Sequence, residues 1–268
     1  MKIIRRSIKK VFCYLFRKKQ KNVTAIEHMA RLGNLLYLFL NVDINNKKGN
    51  NQFILYTNAM EIWLKRFPEL EKFVIREADF KWYDNLDWRK SYFQNFGEDF
   101  DKKQLYEFIE TNNLFSNNTP FSSIQNEKTI INIRRGDFYV DEVKQPSAFD
   151  QVDYVKKALS KYPDVLNFPI QIISDDVEWC EKNLSPLFNE LGITVDYMYE
   201  NGPIEDFEAI CSAKILILTN STFSYWRGYI CSYKSNEKKV IAPDFGATFY
   251  LNSKAIQLHP EWHLINVI

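Results

Sequence analysis

From Lys128 onward the chain alternates short apolar runs with amphipathic segments, and few folds accommodate that pattern. The apolar runs are KTIINI (128–133), PIQIIS (169–174), ITVDYMY (193–199), KILILT (214–219) and KVIAP (239–243). Between them lie VDYVKKALSKY (152–162), DVEWCEKNLSPLFNEL (176–191), IEDFEAICSA (204–213) and STFSYWRGYICS (221–232), whose apolar residues recur at helical spacing. Pro186 is expected to kink or split the second of these helices. Strand–helix alternation of this length predicts an α/β fold with a parallel sheet covered on both faces. A sheet of that kind binds ligands beyond the carboxyl ends of its strands.

The preceding hundred residues are less regular. HMARLGNLLYLFL (28–40) reads as a turn at Gly33-Asn34 followed by an apolar helix. QFILYT (52–57) reads as a strand, and Asn58 is placed to cap a short helix, MEIWLKRF, that stops before Pro68. KFVIRE (72–77) reads as a second strand, while 78–100 is aromatic and acidic without a clear period. DKKQLYEFIE (101–110) reads as a helix and SNNTP (116–120) as a linker. The expected organisation is therefore a basic segment at 1–22, a smaller N-terminal half at 23–124 and a sheet-bearing half at 125–268.

Charge separates the first of these from the rest. Residues 1–22 carry nine Lys and Arg and no acid, whereas the remaining 26 of the 35 basic residues face 34 Asp and Glu, leaving the body near −8. An acidic body disfavours nucleic acid as a partner. Ile4, Ile8, Val11, Phe12 and Leu15 fall at helical spacing among those cations, the pattern of an interfacial helix on an anionic membrane. A peripheral location at the cytoplasmic face of a membrane is the expectation. No apolar stretch reaches the roughly 18 residues that span a bilayer. Cys13, Cys180, Cys211 and Cys231 form no CxxC pair and read as free thiols in a reducing compartment.

Three polar clusters fall at the carboxyl ends of expected strands: Arg134-Arg135-Gly136-Asp137, Ser174-Asp175-Asp176 and Thr219-Asn220-Ser221-Thr222. In a parallel sheet these ends share one edge, so the clusters can converge. Their chemistry suits a pyrophosphate. An arginine fork matches phosphate oxygens, and a helix beginning near Ser221 offers free N–H groups and a partial positive charge, with the Ser221 and Thr222 hydroxyls beside them. Side chains alternate along a strand, so Arg134 and Arg135 should point to opposite sides, one toward ligand and one toward an acid such as Asp137. The alternative is that both arginines tie down a loop through carboxylates. Adjacent Asp175 and Asp176 read as a helix cap rather than a metal site, and His28, His259 and His263 are scattered. No GxGxxG or Walker loop occurs.

Together these blocks resemble the alpha-1,2-fucosyltransferases of glycosyltransferase family 11. IRRGDFYV (133–140) resembles the family's His-x-Arg-Arg-x-Asp block, ISDDVEWCEKNL (173–184) its Ser-Asp-Asp-x-x-Trp segment, and LTNSTFSYWRGYI (218–230) its Asn-Ser-Thr-Phe-Ser-x-Trp block. KVIAPDFGATFY (239–250) with HPEWHLI (259–265) resembles its C-terminal elements, and RLGNLLYLF (31–39) its Leu-Gly-Asn start. The usual His of the first block is Asn132 here.

The resemblance implies a GT-B-like fold, with a Rossmann-like C-terminal sheet and a smaller N-terminal α/β half. It implies inverting transfer of L-fucose from GDP-fucose to a glycan hydroxyl, O2 of galactose in the alpha-1,2 type, without a metal or other cofactor. A glycan or lipid-linked glycan is the acceptor. Arg134 stands in the family's arginine position as the catalytic cation, and Asp137, Asp141 and Glu142 are candidates for the base. Gly33, Asn34, Asn132, Arg134, Arg135, Asp175, Asn220, Ser221, Thr222 and Ser224 are the expected donor contacts. The alternatives are a same-fold enzyme with another donor sugar, a non-catalytic sugar-nucleotide-binding relative, and an adaptor driven by the basic N-terminus.

Overall fold

The computed structural model describes residues 20–26, 30–89, 91–115, 127–136, 139, 148–199, 202–234, 237–246 and 256–268. Two compact units divide the chain, Met1–Asn113 and Leu114–Ile268. The 124/125 boundary expected from the linker falls inside the second unit, and SNNTP itself lies outside the described residues.

The second unit carries the sheet that the apolar runs predict. Its elements are β5 (Thr129–Ile133), α4 (Gln151–Lys161), β6 (Ile170–Ser174), α5 (Val177–Glu190), β7 (Val195–Met198), α6 (Pro203–Cys211), β8 (Ile215–Leu218), α7 (Thr222–Lys234), β9 (Lys239–Asp244) and β10 (His263–Asn266). The six strands are all parallel, in the order β10-β9-β8-β5-β6-β7. Counted from β5 as first, this is the 3-2-1-4-5-6 order of a Rossmann sheet, with its topological switch between β5 and β8. The centre is dry. Every residue of β5 and of β8 is buried, as strands covered on both faces require. Ile131, Ile172, Leu184, Phe188, Ile217 and Ile241 lie in one cluster with Tyr154 and Val155 of α4. Pro186 does not split α5, which runs unbroken from Val177 to Glu190. β10 appears in a stretch that carries no strand signal of its own beyond His263–Asn266, and it pairs in register with β9.

The first unit is a smaller parallel sheet, order β3-β2-β1-β4, formed by β1 (Asn22–Ile26), β2 (Gln52–Leu55), β3 (Val74–Ile75) and β4 (Asn85–Arg89). Its helices are α1 (Leu32–Lys47), α2 (Glu61–Arg66) and α3 (Lys102–Thr111). α1 buries its entire Leu35–Leu40 run, and the Trp63 indole of α2 donates to the Leu32 carbonyl at 2.8 Å. Asp101 caps α3 with a reciprocal capping box to Gln104.

Several local expectations change here. Gly33 and Asn34 do not form a turn but sit in the first turn of α1. Asn58 opens a short 3-10 segment and does not cap α2. KFVIRE contributes only Val74–Ile75 as strand, because Pro68–Phe73 winds into a 3-10 helix. Asn22 begins β1, so the basic segment ends earlier than 22, and its residues 1–19 lie outside the described residues. No helix among the described residues is long and apolar enough to cross a membrane. Cys180, Cys211 and Cys231 are buried free thiols, and burial pushes Cys180 up to about 11 and Cys211 to about 12.

Candidate active site

The carboxyl ends of β5, β6 and β8 bring the three polar clusters together. Ile133 is paired with Ser174 and Asn132 with Leu218, so Arg134, Asp175 and Asn220 follow at one level of the sheet, with Thr219 one residue before. Thr219 accepts the Arg134 N–H at its Oγ1, 2.8 Å away, and donates that hydroxyl to the Asn132 carbonyl. From α4, the Gln151 amide donates to the Arg134 carbonyl at 2.8 Å. The backbone that carries Arg134 is thus held from two sides by buried side chains, which preorganises it.

Asp175 serves both arginines. Its Oδ1 accepts the Arg135 N–H at 2.8 Å, and its Oδ2 lies 2.8 Å from the Arg134 guanidinium. Gly136 makes this packing feasible: at φ +31°, a Cβ there would sit 2.8 Å from Arg134 Nη2 and 2.9 Å from Asp175 Oδ2. Both arginines face carboxylates, Arg134 with Asp175 and Arg135 with Asp176, the alternative that the sequence left open, but their surroundings differ. Arg134 keeps about a third of its side chain exposed, against 16% for Arg135. The Arg135 guanidinium lies between two rings, 4.1 Å from Tyr139 and 3.9 Å from Trp179, with Asp176 at 3.6 Å. Its acidic neighbour in the structure is Asp176. Asp137, the partner expected from sequence, lies outside the described residues, as do Asp141 and Glu142.

Asp176 caps α5 by accepting the Trp179 N–H. Ser221 does the same for α7, accepting the Ser224 N–H at 3.0 Å. Asn220 accepts the Tyr225 hydroxyl at 2.9 Å, and Thr222 opens the first turn. The N-terminus of α7 therefore stands at the β5/β8 switch beside Arg134, offering a helix-dipole site for an anion next to a guanidinium. Among the described residues no group of three or more His, Cys, Asp or Glu is placed to hold a metal ion.

Asn132 is 4% exposed and sits beneath this edge. Its Nδ2 donates to the Ile173 carbonyl at 3.0 Å, and its Oδ1 accepts from Ser224 Oγ at 2.6 Å and from Arg227 Nη1 at 3.2 Å. Ser224 is likewise buried, linked to Ser221 at 2.7 Å. Arg227, Gln151 and the Tyr139–Trp179 clamp were not singled out from sequence. Arg227 interrupts an otherwise apolar helix face, the one signal that pointed to it. Gly33 and Asn34 belong to the other unit, where Gln94 donates to Asn34 Oδ1 at 2.7 Å. His259 is buried with its Nδ1 accepting the Glu261 N–H. An open concavity of about 500 Å³ between α4 and β10, lined by Lys156, Lys157 and Lys161, contains no residue of the three polar clusters.

The profile of glycosyl transferase family 11 matches residues 37–266 of the chain. An alpha-1,2-colitosyltransferase of Escherichia coli is 29% identical over 112 residues, 38% of this chain and 36% of that protein. A putative galactoside 2-alpha-L-fucosyltransferase of Caenorhabditis elegans is 28% identical over 141 residues, 48% of this chain and 37% of that protein. The matches therefore span little more than a third of either relative's length. Among solved structures, POFUT1 in complex with GDP aligns at a TM-score of 0.41 and 10% identity, over 83% of this chain and 97% of that one.

Proposed function

We propose, since this chain belongs to glycosyl transferase family 11, that it transfers L-fucose from GDP-fucose to a glycan hydroxyl, O2 of galactose, with inversion at the anomeric carbon. The observation that carries this reading is the placement of Arg134 beside the N-terminus of α7 at the β5/β8 switch. The α-1,2 linkage takes its support from the two relatives, both named for α-1,2 or 2-α transfer.

In this reading the donor diphosphate lies against the α7 N-terminus. Negative charge builds on it as the glycosidic bond breaks, and the Arg134 guanidinium together with the helix-end N–H groups stabilises that charge. Asp175 holds the guanidinium in place, and Thr219 and Gln151 hold its backbone. A base removes the acceptor proton as the hydroxyl attacks, and Asp137, Asp141 and Glu142 follow the arginines closely enough in sequence to supply it. Charge stabilisation by Arg134 and a helix terminus leaves no role that requires a metal. The basic segment before β1 would hold the enzyme at an anionic membrane surface near a lipid-linked or surface glycan, on the cytoplasmic side. The colitosyltransferase relative supports a second reading, in which the same site takes a different donor sugar.

Incubation with a panel of nucleotide sugars tests both readings. GDP should raise the melting temperature more than UDP, GDP-fucose should be hydrolysed or transferred, and activity should persist in EDTA. Equal shifts with GDP and UDP count against a guanosine donor, and turnover of another GDP-sugar in preference to GDP-fucose selects the second reading. Removing residues 1–19, which leaves β1 whole, should abolish pelleting with anionic vesicles and leave GDP binding intact; continued pelleting places the membrane contact elsewhere.

A further inference from the structure

Arg227 is a cation that the packing of α7 does not require. It lies in the second turn of that helix and is 3% exposed. Its guanidinium sits 3.8 Å over the Phe223 ring and its Nη1 donates to Asn132, while its Nε has no hydrogen-bond partner among the described residues. A buried, incompletely paired charge is costly, and an apolar side chain of similar length would fill the same volume at less cost. Burial pulls its pKa down to about 9, with the Asp206 carboxylate opposing the shift, so the guanidinium is charged at neutral pH.

What Arg227 does connect to is the candidate site. The Asn132 Oδ1 that accepts from it also accepts from Ser224, and Ser224 is hydrogen-bonded to Ser221, the cap of α7. A continuous run of guanidinium, amide and two hydroxyls thus leads from the buried cation to the helix end. The charged groups that act on Arg227 are Asp206 on α6, Arg134 after β5 and Asp175 after β6, with the Cys211 thiol alongside. In a poorly hydrated interior a charge acts over several ångströms, so this cation adds to the positive potential of the helix terminus.

We infer that Arg227 is a positioning cation for the donor diphosphate, buried behind the α7 N-terminus and linked to it through Asn132, Ser224 and Ser221. The inference rests on the donor site proposed above. It also accounts for Asn132: the amide offers a neutral acceptor to a buried guanidinium, where a protonated imidazole would oppose it.

Calorimetric titration with GDP-fucose, and with guanosine by competition, tests this. Wild-type protein should bind GDP-fucose far more tightly than guanosine. Arg227→Met should lose at least tenfold in GDP-fucose affinity and nothing in guanosine affinity. Unchanged GDP-fucose affinity in Arg227→Met, or equal losses for both ligands, overturns the inference. If Arg227→Met does not fold, Arg227→Gln decides, and wild-type GDP-fucose affinity in that variant overturns it. Wild-type protein that does not discriminate GDP-fucose from guanosine overturns the donor reading itself, a result separate from failure of the variants.

Discussion

β5 and β4 are parallel strands of five residues each, but the first is buried at every position and the second exposed at every position. β5 lies at the middle of six strands, paired to β6 and β8, whereas β4 is the edge of a four-stranded sheet, paired among the described residues to β1 alone. The candidate site hangs from the carboxyl end of the buried strand. A central strand can hold its last residues still, since both neighbours and both faces constrain it, and catalysis by fixed charge needs that rigidity. An edge strand such as β4 has no such surroundings, and its Trp88 is 55% exposed.

The sharpest break of this contrast is in the core. Ile131→Ala deletes methylenes from a fully buried position and should lower stability by about 2–5 kcal/mol in urea unfolding. A loss below about 0.5 kcal/mol would mean that β5 is not the packed centre described here. Next in size is Arg134→Lys, which keeps the charge and loses the planar fork. It should cost about 2.7–4 kcal/mol of transition-state stabilisation, on the order of 10²–10³ in kcat, with the melting temperature nearly unchanged. Full activity would remove the diphosphate from this end of β5.

Arg135→Ala sharpens the division between the two arginines. Loss of a shielded cation from between Tyr139 and Trp179 should lower stability by about 2 kcal/mol while kcat falls much less than in Arg134→Lys. An inactive Arg135→Ala of wild-type stability would exchange the roles. The smallest effect belongs to the edge: Trp88→Ala should change stability by no more than about 0.5 kcal/mol. A larger loss would show that β4 is covered in solution.

Much of the second unit was legible because burial on both faces leaves an unmistakable mark, a run such as ILIL between helical segments. The first unit was harder for the same reason reversed. β4 reads NLDWR, with no apolar run or clean alternation, since an exposed edge strand needs neither. β1 is only NVTAI and lies next to the basic segment, whose charge pattern drew the helical reading across Asn22. Gly33-Asn34 looked like a turn because both residues disfavour helix interiors, but the burial of Leu35–Leu40 in α1 outweighs that preference.

The sequence by itself determined the strand–helix alternation and the shared edge of the three polar clusters, which follow from local spacing, and the resemblance of its blocks pointed to the family. Only the tertiary structure decided the partners. Asp175 bridges both arginines, Asp176 and two rings take up Arg135, and Asn132 turns inward to Ser224 and Arg227. Apart from that of the nearby Tyr139 ring, these contacts join residues some 40 to 95 positions apart. The contacts of Asp175, Asp176 and Trp179 exist because β6 lies beside β5, and those of Asn132 because the chain crosses from β7 back to β8 on the other side of β5, placing α7 over its strand end.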